Sequence, residues 1–249
     1  MIEKLGVQLY TIRDYMKDAE SIRESFKKLV DLGITQGQTA GCEIPYEEFG
    51  QIAKEEGIEI VGTHDNFDLM VDDFEQAYRN HQALNTNIMG IGGYFNLEVP
   101  AIEEFIKKAN TVCKKIGEKG GKFTYHNHSS EFIKLPNGKT MMDMLCEEFD
   151  SENGSFCLDT YWVQHGGGDE RPWIEKLAGR IDILHLKDKG KNKETQFITE
   201  IGNGNLYWDG IIETAQKAGV KYYVIEQDTC PGDPFDSLKQ SVAYLKRYM

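Results

Sequence analysis

The chain has 249 residues, 40% of them hydrophobic, and its 28 Lys+Arg against 41 Asp+Glu give a net charge of −13. That length suits one large domain with a substantial core. The negative balance disfavours nucleic acid and anionic membrane partners, no basic stripe reverses it, and no run approaches the ~20 apolar residues of a membrane span.

The opening "MIEKLGVQLY" has no charged segment leading into an apolar one, so no leader peptide is expected. The five cysteines are scattered and never form CxxC, which reads as reduced thiols in a cytoplasmic protein. From there the chain repeats one pattern: a short apolar run, a polar turn, an amphipathic stretch. The runs are "LGVQLY" (5–10), "GITQGQTA" (33–40), "IEIVGTH" (58–64), "TNIMGIG" (86–92), "KFTYHNH" (122–128), "SFCLDT" (155–160), "DILHLKD" (182–188) and "KYYVIEQ" (221–227). Runs of this length suit buried parallel strands. The second is the weakest, with little but Ile34 to make it apolar.

Between the runs, "AESIRESFKKLVDLG" sets Ile22, Phe26, Leu29 and Val30 at helical spacing and stops at Gly33. "VPAIEEFIKKANTVCKKIGEKGG" places Ile102, Phe105, Ile106, Ala109, Val112 and Ile116 on one face. "WDGIIETAQKAG" offers Asp209 as an N-cap and Gly219 as a stop. Eight βα units favour a single closed (β/α)₈ TIM barrel over residues 1–249. The first βα turn, "LYTIRD", lacks the GxGxxG of a dinucleotide-binding sheet.

In such a barrel, chemistry gathers at the C-terminal strand ends. The polar residues there are His64 on the third run, His126, Asn127 and His128 on the fifth, Asp159 on the sixth, His185, Lys187 and Asp188 on the seventh, and Glu226 on the eighth. Unpaired buried carboxylates are costly. A divalent cation reconciles carboxylates and imidazoles at one rim, and Mn²⁺, Zn²⁺, Co²⁺ or Fe²⁺ accepts this donor mixture, with Mn²⁺ favoured. Strand alternation puts Thr124, His126 and His128 on one face and Ile183, His185 and Lys187 on another. The expected ligands are His126, Asp159, His185 and Glu226, with a neighbour of His126 as the alternative fourth. His128 or Asn127 then serves as a supporting or substrate contact. Bland alternatives exist: His64 as a satisfied core histidine, Asp159 as a helix N-cap, and His128 with Glu131 as a surface hydrogen bond. Tyr10, Phe67, Trp162 and Trp208 could stack on a sugar. The loop "DKGKNKETQFITEIGNGNLYWDG" reads either as a lid or as a surface excursion.

The stretches "YHNHSSEF", "CLDTYW", "LHLKDKG", "IGNGNLYWDGII" and "YYVIEQD" resemble the sugar phosphate isomerase/epimerase family of the xylose isomerase-like TIM-barrel superfamily, over nearly the whole chain. The resemblance implies a divalent metal held from strands 5 to 8, with the family's aspartate, histidine and glutamate falling on Asp159, His185 and Glu226. Many members carry Glu-Pro at the end of strand 5, where this chain has His126-Asn127, as in inosose dehydratase-like members. Epimerases of the family are thought to use two glutamates on opposite substrate faces. Only Glu226 of that pair is present, so a second acid/base falls to Glu131, His128, His64 or Lys187. The implied activity is a metal-dependent isomerase or epimerase working through an enediolate of a small sugar or keto-polyol. The alternatives are a lyase (dehydratase) of a keto-inositol or keto-sugar, an apurinic-site endonuclease-like barrel, and a non-catalytic sugar-binding barrel. No glycine-rich phosphate cradle stands out after strands 7 and 8. A homo-oligomer is left open.

Overall fold

The computed structural model describes residues 1–249. In chain order, the strands are β1 (Leu5–Gln8), β2 (Ile34–Ala40), β3 (Glu59–His64), β4 (Ile88–Ile91), β5 (Lys122–His126), β6 (Gly154–Asp159), β7 (Ile181–Leu186), β8 (Asp188–Lys191), β9 (Gln196–Thr199) and β10 (Tyr222–Ile225). The helices are α1 (Ala19–Asp31), α2 (Tyr46–Glu56), α3 (Phe67–Asp72), α4 (Phe74–Ala83), α5 (Val99–Glu118), α6 (Met141–Glu148), α7 (Thr160–His165), α8 (Glu170–Lys176), α9 (Trp208–Lys217) and α10 (Pro234–Leu245).

Eight strands form one parallel sheet in the order β3-β2-β1-β10-β7-β6-β5-β4. The two ends of this row meet, with Asp65 N donating to Gly90 O at 2.8 Å and Gly90 N to Thr63 Oγ1 at 3.2 Å. This gives the nearly closed (β/α)₈ barrel anticipated from the repeats. Gly90 is required at the seam: a Cβ there would lie 2.3 Å from Thr124 Oγ1 and 2.4 Å from Thr63 O. The remaining strands, β8 and β9, form an antiparallel hairpin outside the barrel.

The second run, the least apolar, forms the longest strand of the barrel. Its polar side chains turn inward and find partners there: Gln36 donates to Glu59, and Gln38 lies beside His185. A strand whose interior face is hydrogen-bonded does not need an apolar run. The main core lies between strands and helices and draws on all the major helices. A second, small apolar layer of Val61, Cys157, Ile183 and Val224 sits inside the barrel. Three of these stand two residues before Asp159, His185 and Glu226, so strand alternation sets a dry floor directly beneath those polar groups.

Helix α1 begins with a reciprocal Asp18–Ser21 capping box and buries Ile22, Phe26 and Leu29; Gly33 follows its end at φ 87°. Helix α9 differs from expectation. It starts at Trp208, and Asp209 lies inside its first turn, where its carboxylate accepts the Tyr248 hydroxyl at 2.7 Å rather than capping the helix. No helix is long and apolar enough to cross a membrane.

Candidate metal centre and active site

The C-terminal ends of β5, β6, β7 and β10 bring together His126, Asp159, His185 and Glu226. All four are buried, and one candidate ligand atom from each lies within 4.8 Å of every other. Their neighbours decide which atoms are free. His126 Nδ1 lies 3.1 Å from Gly92 O and so carries its proton toward that carbonyl. His185 Nε2 lies 2.5 Å from Gln38 Oε1 and does the same. Each ring then turns its other nitrogen to the carboxylates: His126 Nε2 is 3.4 Å from Asp159 Oδ2 and 4.0 Å from Glu226 Oε2, and His185 Nδ1 is 3.6 and 2.9 Å from the same two atoms. His185 Nδ1 is buried with no hydrogen-bond partner of acceptable geometry.

Two carboxylates and two inward-turned imidazole nitrogens share this dry site, with the Lys187 ammonium beside them and, without a metal, a proton held on His185; a bound cation would take that proton's place. The donor set of two nitrogens and two carboxylates, with both histidines oriented from behind, fits a divalent transition metal. Asp159 serves both readings of its sequence position. Its Oδ1 caps α7 by accepting from Trp162 N at 2.9 Å, and its Oδ2 faces the histidines. Asn127 Oδ1 in turn accepts from Asp159 N at 3.0 Å, which fixes the end of β6. Although burial opposes it, Lys187 and the two histidines hold the Asp159 carboxyl down to about 2.

Lys187 lies beside this cluster, almost wholly buried. Its Nζ is 3.5 Å from Asp159 Oδ2, 3.2 Å from Glu226 Oε2 and 2.7 Å from Asp228 Oδ2. Burial works against its charge, but the three carboxylates outweigh it and keep it an ammonium. Trp162 covers it, with Nζ 4.9 Å from the ring centroid. A cavity of about 710 Å³ opens onto the cluster, and His64, His126, His128, Lys187, Glu226 and Asp228 are among its lining. Burial, reinforced by the neighbouring His126, pushes His128 down to about 3 and takes His64 well below the usual histidine range, so both rings are neutral. Tyr10 lines the cavity mouth beneath the Arg13 guanidinium, and Phe67 also reaches it.

Some expected residues are not brought in. Glu131 is fully buried behind the strand, where it accepts from the Tyr125 and Ser130 hydroxyls, both at 2.8 Å. It makes no hydrogen bond with His128, and the cavity is lined without it. Trp208 is buried and donates to Asp188 Oδ2 at 2.8 Å, away from the cavity. The long loop after β7 is no lid in this structure. Asp188 gathers the N–H groups of Gly202, Gly204 and Leu206, and no residue of 188–207 lines the cavity. Other residues have a place in the site without having been singled out. Gln38 orients His185. Thr160 Oγ1 donates to the His185 and Lys187 carbonyls. Asp228 holds Lys187, and its spacing of two from Glu226 was the available signal.

Fold and site together define a TIM barrel with a metal-competent cluster at its C-terminal mouth. Residues 36–248 match the profile of the xylose isomerase-like TIM barrel, and the chain belongs to that family. It is 25% identical over 155 residues to the inosose dehydratase of Geobacillus thermodenitrificans (strain NG80-2), covering 55% of this chain and 51% of the relative. The chain therefore spans about half the length of the curated relative it matches. Among solved structures it is similar to a sugar phosphate isomerase/epimerase from Parabacteroides distasonis ATCC 8503, with a TM-score of 0.84 at 20% identity over 99% of this chain and 94% of that one. It is also similar to the probable 3-DHS dehydratase of Bacillus anthracis, with a TM-score of 0.76 at 14% identity over 98% of each chain. At these identities the structural likeness speaks for the fold.

Proposed function

We propose that this protein is a divalent-metal-dependent enzyme, Mn²⁺ being the favoured ion, that isomerises or epimerises a small sugar or keto-polyol by moving a proton α to a carbonyl. One observation carries the reading: two histidines, each tied back through one nitrogen, aim the other at Asp159 and Glu226. His126, Asp159, His185 and Glu226 would hold the ion, which when bound supplies Lewis-acid polarisation of a carbonyl and its adjacent hydroxyl. The chain's own groups do the rest. Glu226, or the neutral His128 on the cavity wall, accepts the α-proton and returns it to the neighbouring carbon, while His64, whose Nδ1 accepts from Gln8 Nε2 at 3.2 Å, carries its proton on Nε2 and serves as a donor. His64 Nε2 and His128 Nδ1 are buried without hydrogen-bond partners, the first free to donate to a substrate oxygen and the second free to accept a proton. The Lys187 ammonium donates to the oxygen that gains charge. Trp162 keeps water from that ammonium. The five free thiols fit a reducing, cytoplasmic setting.

A second reading is favoured by the placement of Lys187. The cavity has no second glutamate to pair with Glu226, whereas a buried ammonium beside the base could protonate a departing β-hydroxyl. That makes the same site a dehydratase: the α-C–H and β-C–O bonds break, a C=C bond forms, and water leaves. The similarity to a protein named inosose dehydratase supports this alternative.

Elemental analysis of the purified protein, followed by incubation of the Mn²⁺-loaded form with ketoses and keto-inositols in D₂O, tests both. Deuterium at an α-carbon without loss of water supports the first reading; loss of water with a new enone absorbance supports the second. Asp159→Ala, His185→Ala and Glu226→Ala are each expected to lose metal, and activity by roughly a hundredfold or more. Full metal occupancy in Asp159→Ala would overturn the ligand assignment.

A further inference from the structure

The residue after His64 has no role in the chemistry above. Asp65 lies at the C-terminal end of β3 and lines the cavity. Tyr46, at the start of α2, places its hydroxyl 2.8 Å from both carboxylate oxygens, and Asn66 N donates to Oδ1 at 3.1 Å. These contacts fix the plane of the carboxylate and leave lone pairs unused, since a carboxylate has about four acceptor sites. No lysine, arginine or histidine nitrogen lies within 4.0 Å of it. Beside it, on the same cavity, His64 Nε2 is buried with no partner. An oriented carboxylate and an unmatched imidazole nitrogen on one wall ask for hydroxyl groups.

The charge of the cavity points the same way. Asp65, Glu226 and Asp228 line it, and Lys187 is its one lysine or arginine. That ammonium is already shared among three carboxylates. The nearest guanidinium, Arg13, lies outside the lining, donates to the Tyr10 and Asp228 carbonyls and sits over the Tyr10 ring. With a bound divalent ion balancing Asp159 and Glu226, and Lys187 paired with Asp228, Asp65 is left as the uncompensated charge on the lining, so a phosphate or carboxylate placed against this wall would meet a like charge and find no cationic side chain beside it.

We infer that Asp65 is a specificity-determining residue that accepts hydrogen bonds from hydroxyls of an uncharged polyol ketone, and that the cavity discriminates against the phosphorylated counterpart. This rests on the enolising function proposed above and names its substrate class. Tyr46 acts as a positioning residue through Asp65.

The test uses the Mn²⁺-loaded full chain with scyllo-inosose, D-fructose and D-fructose 6-phosphate as probes. Deuterium incorporation from D₂O and the rise in Tm on adding each probe are both measured. Exchange with a neutral probe is expected at a kcat/KM at least about tenfold above that for the phosphate ester, and only neutral probes should raise Tm. Asp65→Asn, which keeps the Tyr46 contact but removes the charge, should raise KM for the neutral probe about tenfold with kcat within about threefold, and should narrow the discrimination against the ester. Tyr46→Phe should raise KM by a smaller factor, about threefold. An ester that exchanges as well as the neutral probes, or an unchanged KM in Asp65→Asn, overturns the inference. If no probe exchanges, the enolising function fails on its own, and Tm still decides the charge preference. Equal shifts, a shift with the ester alone, or no shift with any probe would each overturn it.

Discussion

His185 shows how a single residue depends on what lies behind it. Its Nε2 proton goes to Gln38, its Nδ1 faces Glu226 at 2.9 Å, and its ring is wholly buried. Burial disfavours charge on this ring, but the Cys157 sulfur and the Glu226 and Asp159 carboxylates outweigh it and hold the metal-free imidazole well above the usual histidine range. A metal must therefore displace a proton from Nδ1, and affinity should rise with pH. Calorimetric titration of Mn²⁺ at pH 7 in two buffers of different ionisation enthalpy should show release of roughly one proton; zero release would place the proton elsewhere. Gln38→Leu removes the group that fixes the ring, and Mn²⁺ affinity should fall about 10–100-fold with the fold retained. An unchanged affinity would mean that Gln38 does not orient the ligand. The four ligand candidates were legible because each interrupts an apolar run and alternation assigns it a face. Gln38 was not, because it stands on a strand with too few apolar residues for alternation to mark its inward face. Glu131 was misplaced for a related reason: after His126 the chain leaves extended geometry and turns into a 3₁₀ helix at Ser130–Phe132, where alternation no longer tells which way a side chain points.

At the scale of elements, the repeating pattern gave all eight barrel strands their place, because parallel buried strands and amphipathic helices differ in period. The hairpin β8–β9 was not legible, since "DKGK" and "QFIT" pair across only four residues each, the first has no apolar residue, and the two in the second do not alternate. One side chain gathers more of that excursion's donors than any other. The buried Asp188 carboxylate accepts from Lys189 N, Gly202 N, Gly204 N, Leu206 N and Trp208 Nε1, at 2.7, 2.8, 3.2, 3.3 and 2.8 Å. Replacing it with alanine strands several buried donors, each costing about 1–3 kcal/mol if left unmade, with partial rescue by water. We expect Asp188→Ala to lower stability by about 3–4 kcal/mol, or roughly 10 °C in Tm for a chain of this size. Because no residue of 188–207 lines the cavity, Mn²⁺ affinity should stay within about threefold. Calorimetry and metal titration on the same sample check this, and a large loss of affinity would show that the excursion supports the site after all.

For the whole molecule, stability and pH are linked through groups far apart in the barrel. Burial opposes ionisation of Asp143 and Glu200, but Thr140 and Lys176 around the first, and Ser237, Thr199 and Gln227 around the second, hold each near about 2. Their stabilisation is fully present above the ordinary carboxylate range and is lost as pH falls from about 4.5 through 2. Glu170 has the opposite sign. It is buried at the start of α8, its Oε1 has no hydrogen-bond partner, and burial pushes its carboxyl up to about 7. The folded state therefore holds this proton more tightly than the unfolded chain does. That contribution is complete below about 4.5 and is lost as pH rises through 7. After discounting for partial solvent access, it is on the order of 1–2 kcal/mol, or a few degrees in Tm. His185 adds to the same upper arm in the metal-free protein, so the comparison must be between variants. Glu170→Gln keeps the shape without the titration. In EDTA, the Tm of the parent protein should drop between pH 5.5 and 8 by a few degrees more than that of Glu170→Gln. Parallel Tm–pH curves for the two proteins would show that Glu170 ionises freely in the folded state.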